Sequence, residues 1–273
     1  MRIVHTPAAA MTDRYFVEPP IAEAPSEEAE GGLQRVRLAG AEAHHLIHVM
    51  RAKPGLQVVL FDGSGAEFPA RVERVGRTDV QLAVLSRVEV DRELPLDLTL
   101  GVALPKGDRQ RWLVEKAVEL GVTRIVPLST VRSVAQPVPQ ALKRLRRTVV
   151  EASKQCGRNR PMEIAPAQQW ADFAAAGANT ALRVIAHPGG GGGPRLSFAA
   201  ADLPGQVHLA VGPEGGFADE EVSLAVKTGW QSVDLGPRIL RTETAAILLV
   251  AMLAGCWISD PKYAIRGPSD LTS

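Results

Sequence analysis

The amino-acid sequence predicts an α/β protein in two parts, a small β-rich unit followed by a mostly parallel sheet covered by helices on both faces. Three observations carry this expectation. Residues 33–90 are short strand-like runs separated by turn residues, and from residue 96 onward strand-like and helical patterns alternate. Between them lies Asp91-Arg-Glu-Leu-Pro95, a charged, proline-containing segment that suits a domain boundary and divides the chain into 1–92 and 96–273.

Residues 6–32 are rich in Pro, Ala and Glu, and only Arg14-Tyr-Phe-Val17 carries the β-forming residues of a short strand. Strands are expected at 34–38, 57–61, 66–75 and 80–90, with Asp62-Gly-Ser-Gly65 as a turn, and the unit reads as barrel-like. Residues 41–51 have helical spacing, which Pro54-Gly55 ends. In the second part 96–104 is a strand, and Asp108 caps a helix to Leu120 that Gly121 terminates. Trp112, Leu113 and Ala117 of that helix suit a core better than base stacking. Strand 122–128 and helix 139–156 follow, then strands 181–186 and 207–211, helix 219–228, strand 232–235 and helix 243–258.

The 273 residues carry 31 Lys and Arg against 30 Asp and Glu, so a uniformly basic protein is excluded and any nucleic-acid affinity must come from a local patch. Mean hydropathy near zero with 45% hydrophobic residues describes a globular chain with a real core. Cys156 and Cys256 lie far apart with no CxxC pattern, which points to two reduced thiols and a cytoplasmic setting. The apolar run 245–258 is shorter than the ~20 residues a membrane span needs. The first residues lack the apolar core of a secretion signal.

Ligands of parallel sheets sit at the carboxyl ends of strands. Three loops there stand out: Val211-Gly-Pro-Glu-Gly-Gly-Phe217, Leu235-Gly-Pro-Arg-Ile-Leu-Arg-Thr-Glu-Thr-Ala245, and Ala186-His-Pro-Gly189. A dinucleotide site would use Asp234 as its ribose acid, but the loop is not GxGxxG. Pro213 removes an amide donor, and Glu214 adds negative charge where a pyrophosphate needs the reverse. A phosphate-free ligand fits better, although Gly212, Gly215 and Gly216 equally suit a tight turn with no ligand. The run 189–193 is all glycine and reads as a linker insertion. His44, His45 and His48 invite a metal reading, which fails because no HExxH pattern or third ligand accompanies them, so no metal is expected. Helix 139–156 and its exit hold Lys143, Arg144, Arg146, Arg147, Lys154, Arg158 and Arg160 against Glu151. This face suits phosphate contact or a solvated helix side, and Lys106 and Arg109 open on the same sheet edge.

Taken in order, Lys106-Gly-Asp-Arg109 with Trp112-Leu-Val-Glu-Lys-Ala-Val-Glu-Leu-Gly-Val122, then Ile125-Val-Pro127, Arg132-Ser133, Glu151 with Gln155-Cys-Gly-Arg158, Gly212-Pro-Glu-Gly-Gly216 and the Leu235 to Ala245 loop resemble the RsmE-type ribosomal RNA (uracil-N3) methyltransferases. His45-Leu-Ile, Val49-Met-Arg51 and Leu60-Phe-Asp-Gly63 resemble that family's N-terminal domain. The resemblance runs from Arg14 onward. It implies a PUA-like β-barrel for RNA binding, then a SPOUT-type α/β domain with a C-terminal trefoil knot. It also implies S-adenosyl-L-methionine as methyl donor, a homodimer, and N3 of one uridine in 16S rRNA, free or within the 30S subunit, as target, with neither DNA nor membrane as partner.

The resemblance implies that His187, Gly212, Pro213, Glu214, Gly215, Leu235, Gly236, Ile239, Leu240, Thr242, Thr244 and Ala245 line the cofactor site, largely through backbone groups. Arg241 and Arg238 would orient the target base or stabilise its carbonyl oxygens, and Glu243 would remove its proton, although a carboxylate in a first helical turn also has a purely structural reason to be there. Lys106, Arg109, Arg147 and Arg158 would contact RNA. Cys156 stands where the family usually has Ser. Residues 1–10 precede the family's usual start, with Met11 as an alternative one, and residues 19–32 read as an insertion. A non-catalytic ribosome-assembly factor is the alternative function, and a nicotinamide oxidoreductase rests only on Asp234.

Overall fold

The structure is a computed structural model that describes residues 13–18, 21, 33–133, 139–176, 181–188 and 203–258. The expectations for residues 1–10, Met11, most of 19–32 and the glycine run 189–193 lie outside the described residues. The chain divides into two compact units: residues up to Arg92 together with Ser153–Pro161, and Glu93–Ala152 together with residues from Met162 onward.

The first unit is built from β1 (Arg14–Phe16), β2 (Arg35–Leu38), α1 (Gly40–His44), β3 (Gln57–Phe61), β4 (Ala66–Val75), β5 (Val80–Val84) and β6 (Val88–Glu89). Its sheet runs β1-β3-β4-β5-β2 with β6 on β4, and β1 is parallel to β3 while the other pairs are antiparallel. Alternate residues point into one core: Tyr15 from β1, Val36 and Leu38 from β2, Val58 and Leu60 from β3, Phe68, Ala70 and Val72 from β4, and Val80 and Leu82 from β5. That period of two is why the sequence pattern is readable here.

Two expectations change. The strand expected over 80–90 is broken into β5 and β6, because β4 pairs with β6 at Ala66 and Glu67 and with β5 only from Ala70. The helix expected over 41–51 is α-helical only to His44 and continues as a π-helical turn, His45–Val49, with Met50 N–H donating to His45 O at 3.0 Å. Arg51 then takes a φ of 51°, the left-handed region that non-glycine residues avoid. The segment Ser153–Pro161 is tied in by polar contacts within the same unit. Asn159 Nδ2 donates to Gly65 O and Val90 O at 3.2 and 3.3 Å, and Arg92 donates to Gly157 O at 2.9 Å.

The second unit contains β7 (Asp97–Val102), α2 (Asp108–Glu119), β8 (Arg124–Ser129), α3 (Pro139–Cys156), β9 (Glu163–Ile164), β10 (Gln168–Gln169), α4 (Trp170–Ala175), β11 (Leu182–Ala186), β12 (Gln206–Val211), α5 (Asp219–Lys227), β13 (Gln231–Val233) and α6 (Thr242–Ile258). Its sheet has the order β10-β8-β7-β12-β11-β13 with β9 also on β8, and every pairing is parallel. Helix α6 packs on β7, β12 and α2, whereas α4 and α5 pack together against β8 and β13. The short elements β9, β10 and α4 are additions to the expected order, too brief to show a period. Residue Asp108 lies in the first turn of α2 and the cap position is Gly107, so the expected Asp108 cap is one residue out of place. Leu113 and Ala117 are fully buried as expected, but Trp112 is 45% exposed and is not a core residue.

Candidate functional site

An all-parallel sheet sends every strand's carboxyl end to one edge, so the loops after β7, β8, β11, β12 and β13 share it. From β7 the chain leaves toward β8, and from β12 it leaves toward β13 on the far side, so the crevice between adjacent β7 and β12 is where the winding reverses. Ligands of open α/β sheets favour that crevice. A cleft of about 230 Å³ opens there, lined by Leu104, Pro105, Lys106, Ser133, Pro213 and Glu214 among others.

The glycine loop after β12 is shaped by two requirements. A Cβ on Gly212 would lie 3.1 Å from the backbone of Gly216 and Phe217, a contact so tight that the turn would have to give by a few tenths of an ångström, and Gly216 has a φ of 69°. Gly216 N–H donates to Pro213 O at 2.8 Å, which closes the turn. Gly212 and Pro213 are buried while Glu214 and Gly215 face outward. The loop is held from outside by Arg132, part of a motif the sequence already offered without a role, and by Glu221, which the sequence reading passed over. Arg132 donates to Gly215 O at 2.8 Å and Phe217 O at 3.4 Å. Glu221, 7% exposed, accepts from Ala218 N–H at 2.8 Å and from Val131 N–H at 2.9 Å, so one carboxylate fixes the loops after β8 and β12 together. Beneath them Phe217 packs on Trp170 with ring centroids 4.7 Å apart, and Trp170 meets Trp230 at 5.4 Å. The signal for Glu221 was its place in the acidic first turn of α5, where a carboxylate reaches free amides.

The loop after β13 reaches the same region. Thr242 Oγ1 donates to Gly212 O at 3.2 Å, joining the start of α6 to the glycine loop. His187 N–H donates to Val233 O at 3.0 Å, and its Nδ1 is buried with no partner among the described residues. Leu235 and Leu240 are half-buried, Gly236 has a φ of 109°, and Ile239 is 99% exposed. Asp234 accepts from Gly236 N–H at 2.9 Å and so serves its own turn, a structural role that needs no ribose. Thr244 is exposed, and Ala245 N–H donates to Arg241 O at 2.9 Å in the first helical bond of α6.

Arg238 and Arg241 are exposed on this loop. Glu243 is 6% exposed, and Arg109 Nη1 stands 3.8 Å from its Oε1 and 3.5 Å from Glu214 Oε1. Arg109 is therefore placed beside two carboxylates. Lys106 lies exposed at the cleft, and Arg147 is exposed on α3 with Lys143, Arg144 and Arg146. Arg158 is 4% exposed, unlike the exposed arginines of α3. Lys154 also leaves the basic face, paired with Glu42 at 3.2 Å.

The pocket loops present backbone amides and carbonyls, small residues and bare apolar side chains. Such a lining suits a nucleoside joined to an amino-acid part and does not suit a pyrophosphate. In the first unit the end of α1 and the π-helical turn expose His44 and His48, rings 4.6 Å apart, and Arg51, Lys53 and Arg71 are exposed in the same unit. None of the three cations has an ion pair among the described residues, and cations and stackable rings are what an RNA strand needs.

A family model described as an RNA methyltransferase domain matches residues 92–254, and one described as an RNA methyltransferase PUA domain matches residues 38–85. The ribosomal RNA small subunit methyltransferase E of Synechocystis is 36% identical over 223 residues, 80% of this chain and 72% of that protein. The enzyme of that name from Bacillus subtilis is 28% identical over 250 residues, covering 88% and 95%. A crystal structure of ribosomal RNA small subunit methyltransferase E from Neisseria gonorrhoeae bound to S-adenosyl methionine superposes with a TM-score of 0.76 at 29% identity, covering 90% of this chain and 98% of that one. A putative methyltransferase from Legionella pneumophila in complex with bound SAM gives a TM-score of 0.76 at 33% identity, covering 89% and 97%.

Proposed function

The chain belongs to the RNA methyltransferase family, with that family's PUA domain before the catalytic one, and from this premise we propose that it methylates N3 of a uridine in 16S rRNA of the small ribosomal subunit. It is a methyltransferase that uses S-adenosylmethionine. The observation that carries the site assignment is the hydrogen bond from Thr242 to Gly212 O, which brings the two candidate cofactor loops into one place at the sheet edge.

The donor, when bound, supplies a methyl group on a sulfonium. Around it Gly212, Pro213, Glu214, Gly215, Leu235, Gly236, Ile239, Leu240, Thr242, Thr244, Ala245 and His187 form the walls, and His187 Nδ1, without a partner among the described residues, offers a polar contact. We take the segment from β13 into α6 to be the threaded part of a trefoil knot. Methyl transfer is an in-line displacement, so positioning supplies much of the barrier reduction. Uracil N3 carries a proton, which needs an acceptor, and its flanking carbonyls gain charge as that proton leaves. Glu243 is assigned the proton and Arg241 and Arg238 the base or its oxygens. Residues 1–92 bind RNA through the patch near Arg51 and Lys53, and 96–273 carry the chemistry, with Lys106 and Arg147 as further RNA contacts.

Helix α6 buries Leu249, Val250 and Leu253 but leaves Leu248 and Met252 37% and 38% exposed, four residues apart on one stripe. An apolar helix with an uncovered stripe supports a homodimer through this face. No helix among the described residues is long and apolar enough to cross a membrane. A cytoplasmic location follows from the proposed ribosomal substrate.

The test is incubation of the purified protein with labelled S-adenosylmethionine and small subunits lacking the modification, followed by mass spectrometry of the nucleosides. The expected product is 3-methyluridine. Label in another nucleoside, or none despite donor binding, would remove the uridine N3 assignment.

A further inference from the structure

Glu243 is 6% exposed, yet among the described residues only its Oε1 is engaged, by Arg109 at 3.8 Å. Its Oε2 is buried and has no hydrogen-bond partner among the described residues. A buried acceptor without a donor is unfavourable, so its persistence calls for a reason. The Arg109 contacts to Glu243 and Glu214, 3.8 and 3.5 Å, are both longer than the roughly 2.7–2.9 Å of a tight charge-assisted bond, so the guanidinium lies beside the carboxylate without saturating it. An ionised carboxylate only accepts hydrogen bonds. It therefore fits an incoming edge that donates.

Enzymes that modify bases read the extruded base on its Watson–Crick edge. At the central position of that edge uracil presents an N3–H donor, whereas cytosine presents an N3 lone pair. We propose that Glu243, positioned by Arg109, selects the target as an imide base. Its free Oε2 takes the N3–H of uracil and sets a lone pair against the N3 of cytosine. The inference deepens the reading of Glu243 as proton acceptor and rests on it. In the reaction the N3–H bond breaks and its proton passes to Oε2. N3 keeps the electron pair and forms the new bond to the methyl carbon, while the methyl–sulfur bond breaks and sulfur leaves as a thioether. Arg109 touches no substrate atom in this scheme. It is a positioning residue, and Glu214 is its second anchor.

The experiment compares equilibrium binding, without methyl donor, of two RNA hairpins identical except for U or C at the target position. Wild-type protein should prefer the U hairpin by at least about tenfold, because a site built to accept a hydrogen bond rejects the analogue lacking the donor. In Glu243→Gln the preference should shrink to within about twofold, since the amide can turn an N–H toward cytosine N3. Thermal melting checks that the variant is folded. For the U hairpin, Arg109→Gln should lower kcat more than it raises KM, and Arg109→Lys should restore part of kcat. Equal binding of the two hairpins by wild type, or an undiminished preference in Glu243→Gln, would overturn the proposal. So would an Arg109→Gln defect confined to RNA affinity and equal for both hairpins. Wild-type methylation by Glu243→Gln would instead sink the proton-acceptor reading, an outcome that the binding comparison leaves distinguishable.

Discussion

Phe217 is 1% exposed and ends the glycine loop with its ring on Trp170, so the loop rests on the core that Phe217 helps to fill. Replacing it with Ala removes a buried aromatic and leaves a cavity, a loss of about 3–5 kcal/mol. Chemical denaturation should read that loss, and calorimetry should show weaker S-adenosylmethionine binding, since the peptide groups from Gly212 to Gly216 lose their support. Glu67 tests charge instead of packing. Burial alone would raise its pKa, but hydrogen bonds from Arg92 and Arg14 outweigh that and hold the carboxyl below the usual carboxylate value. A group with a depressed folded value contributes stability above its unfolded value and loses it as pH falls toward the folded one. Melting temperature should therefore drop as pH falls below the ordinary carboxylate range, and the drop should be shallower in Glu67→Gln. An identical pH profile in that variant would show that the arginines do not stabilise the charge.

Among the elements, α6 was the easiest to find and the hardest to interpret. A continuous apolar run marks a buried helix, but the run cannot say which sides are covered by this chain. The structure covers the side carrying Leu249, Val250 and Leu253 and leaves Leu248 and Met252 out, with Trp112 also exposed on the neighbouring helix α2. Replacing Leu248 and Met252 together with Glu should convert the proposed dimer into a monomer in sedimentation experiments without unfolding the chain. A variant that sediments like the parent protein would overturn this stripe as a dimer contact. Helix α3 has the predicted bounds, but its role was only half legible. Charge along it was read as one face, whereas Lys143, Arg144, Arg146 and Arg147 are exposed and Lys154 and Arg158 are not. Charge pattern gives a helix side only while the helix stays in the same surroundings, and α3 passes from one unit into the other at Ser153. The π-helical turn was invisible for a related reason: spacing distinguishes helix from strand, not one winding from another.

At the scale of the whole molecule, the sequence by itself determined the order and type of nearly all long elements. These are local properties: apolar period, turn residues and helix ends act over a few neighbours and leave a readable pattern. The ordered motifs also determined the family. Tertiary structure decided what lies beside what. The strand order places β12 next to β7, which brings Arg109 within reach of Glu214 across 105 positions of sequence, and a bond from Thr242 to Gly212 spans 30. It also set Arg109 beside two carboxylates, buried Arg158, exposed Trp112 and supplied Glu221 as the clamp between two loops. Sequence pattern carries the energy of local conformation and solvation, whereas the partner of a charge or a ring is chosen by the packing of distant strands, which no local period encodes.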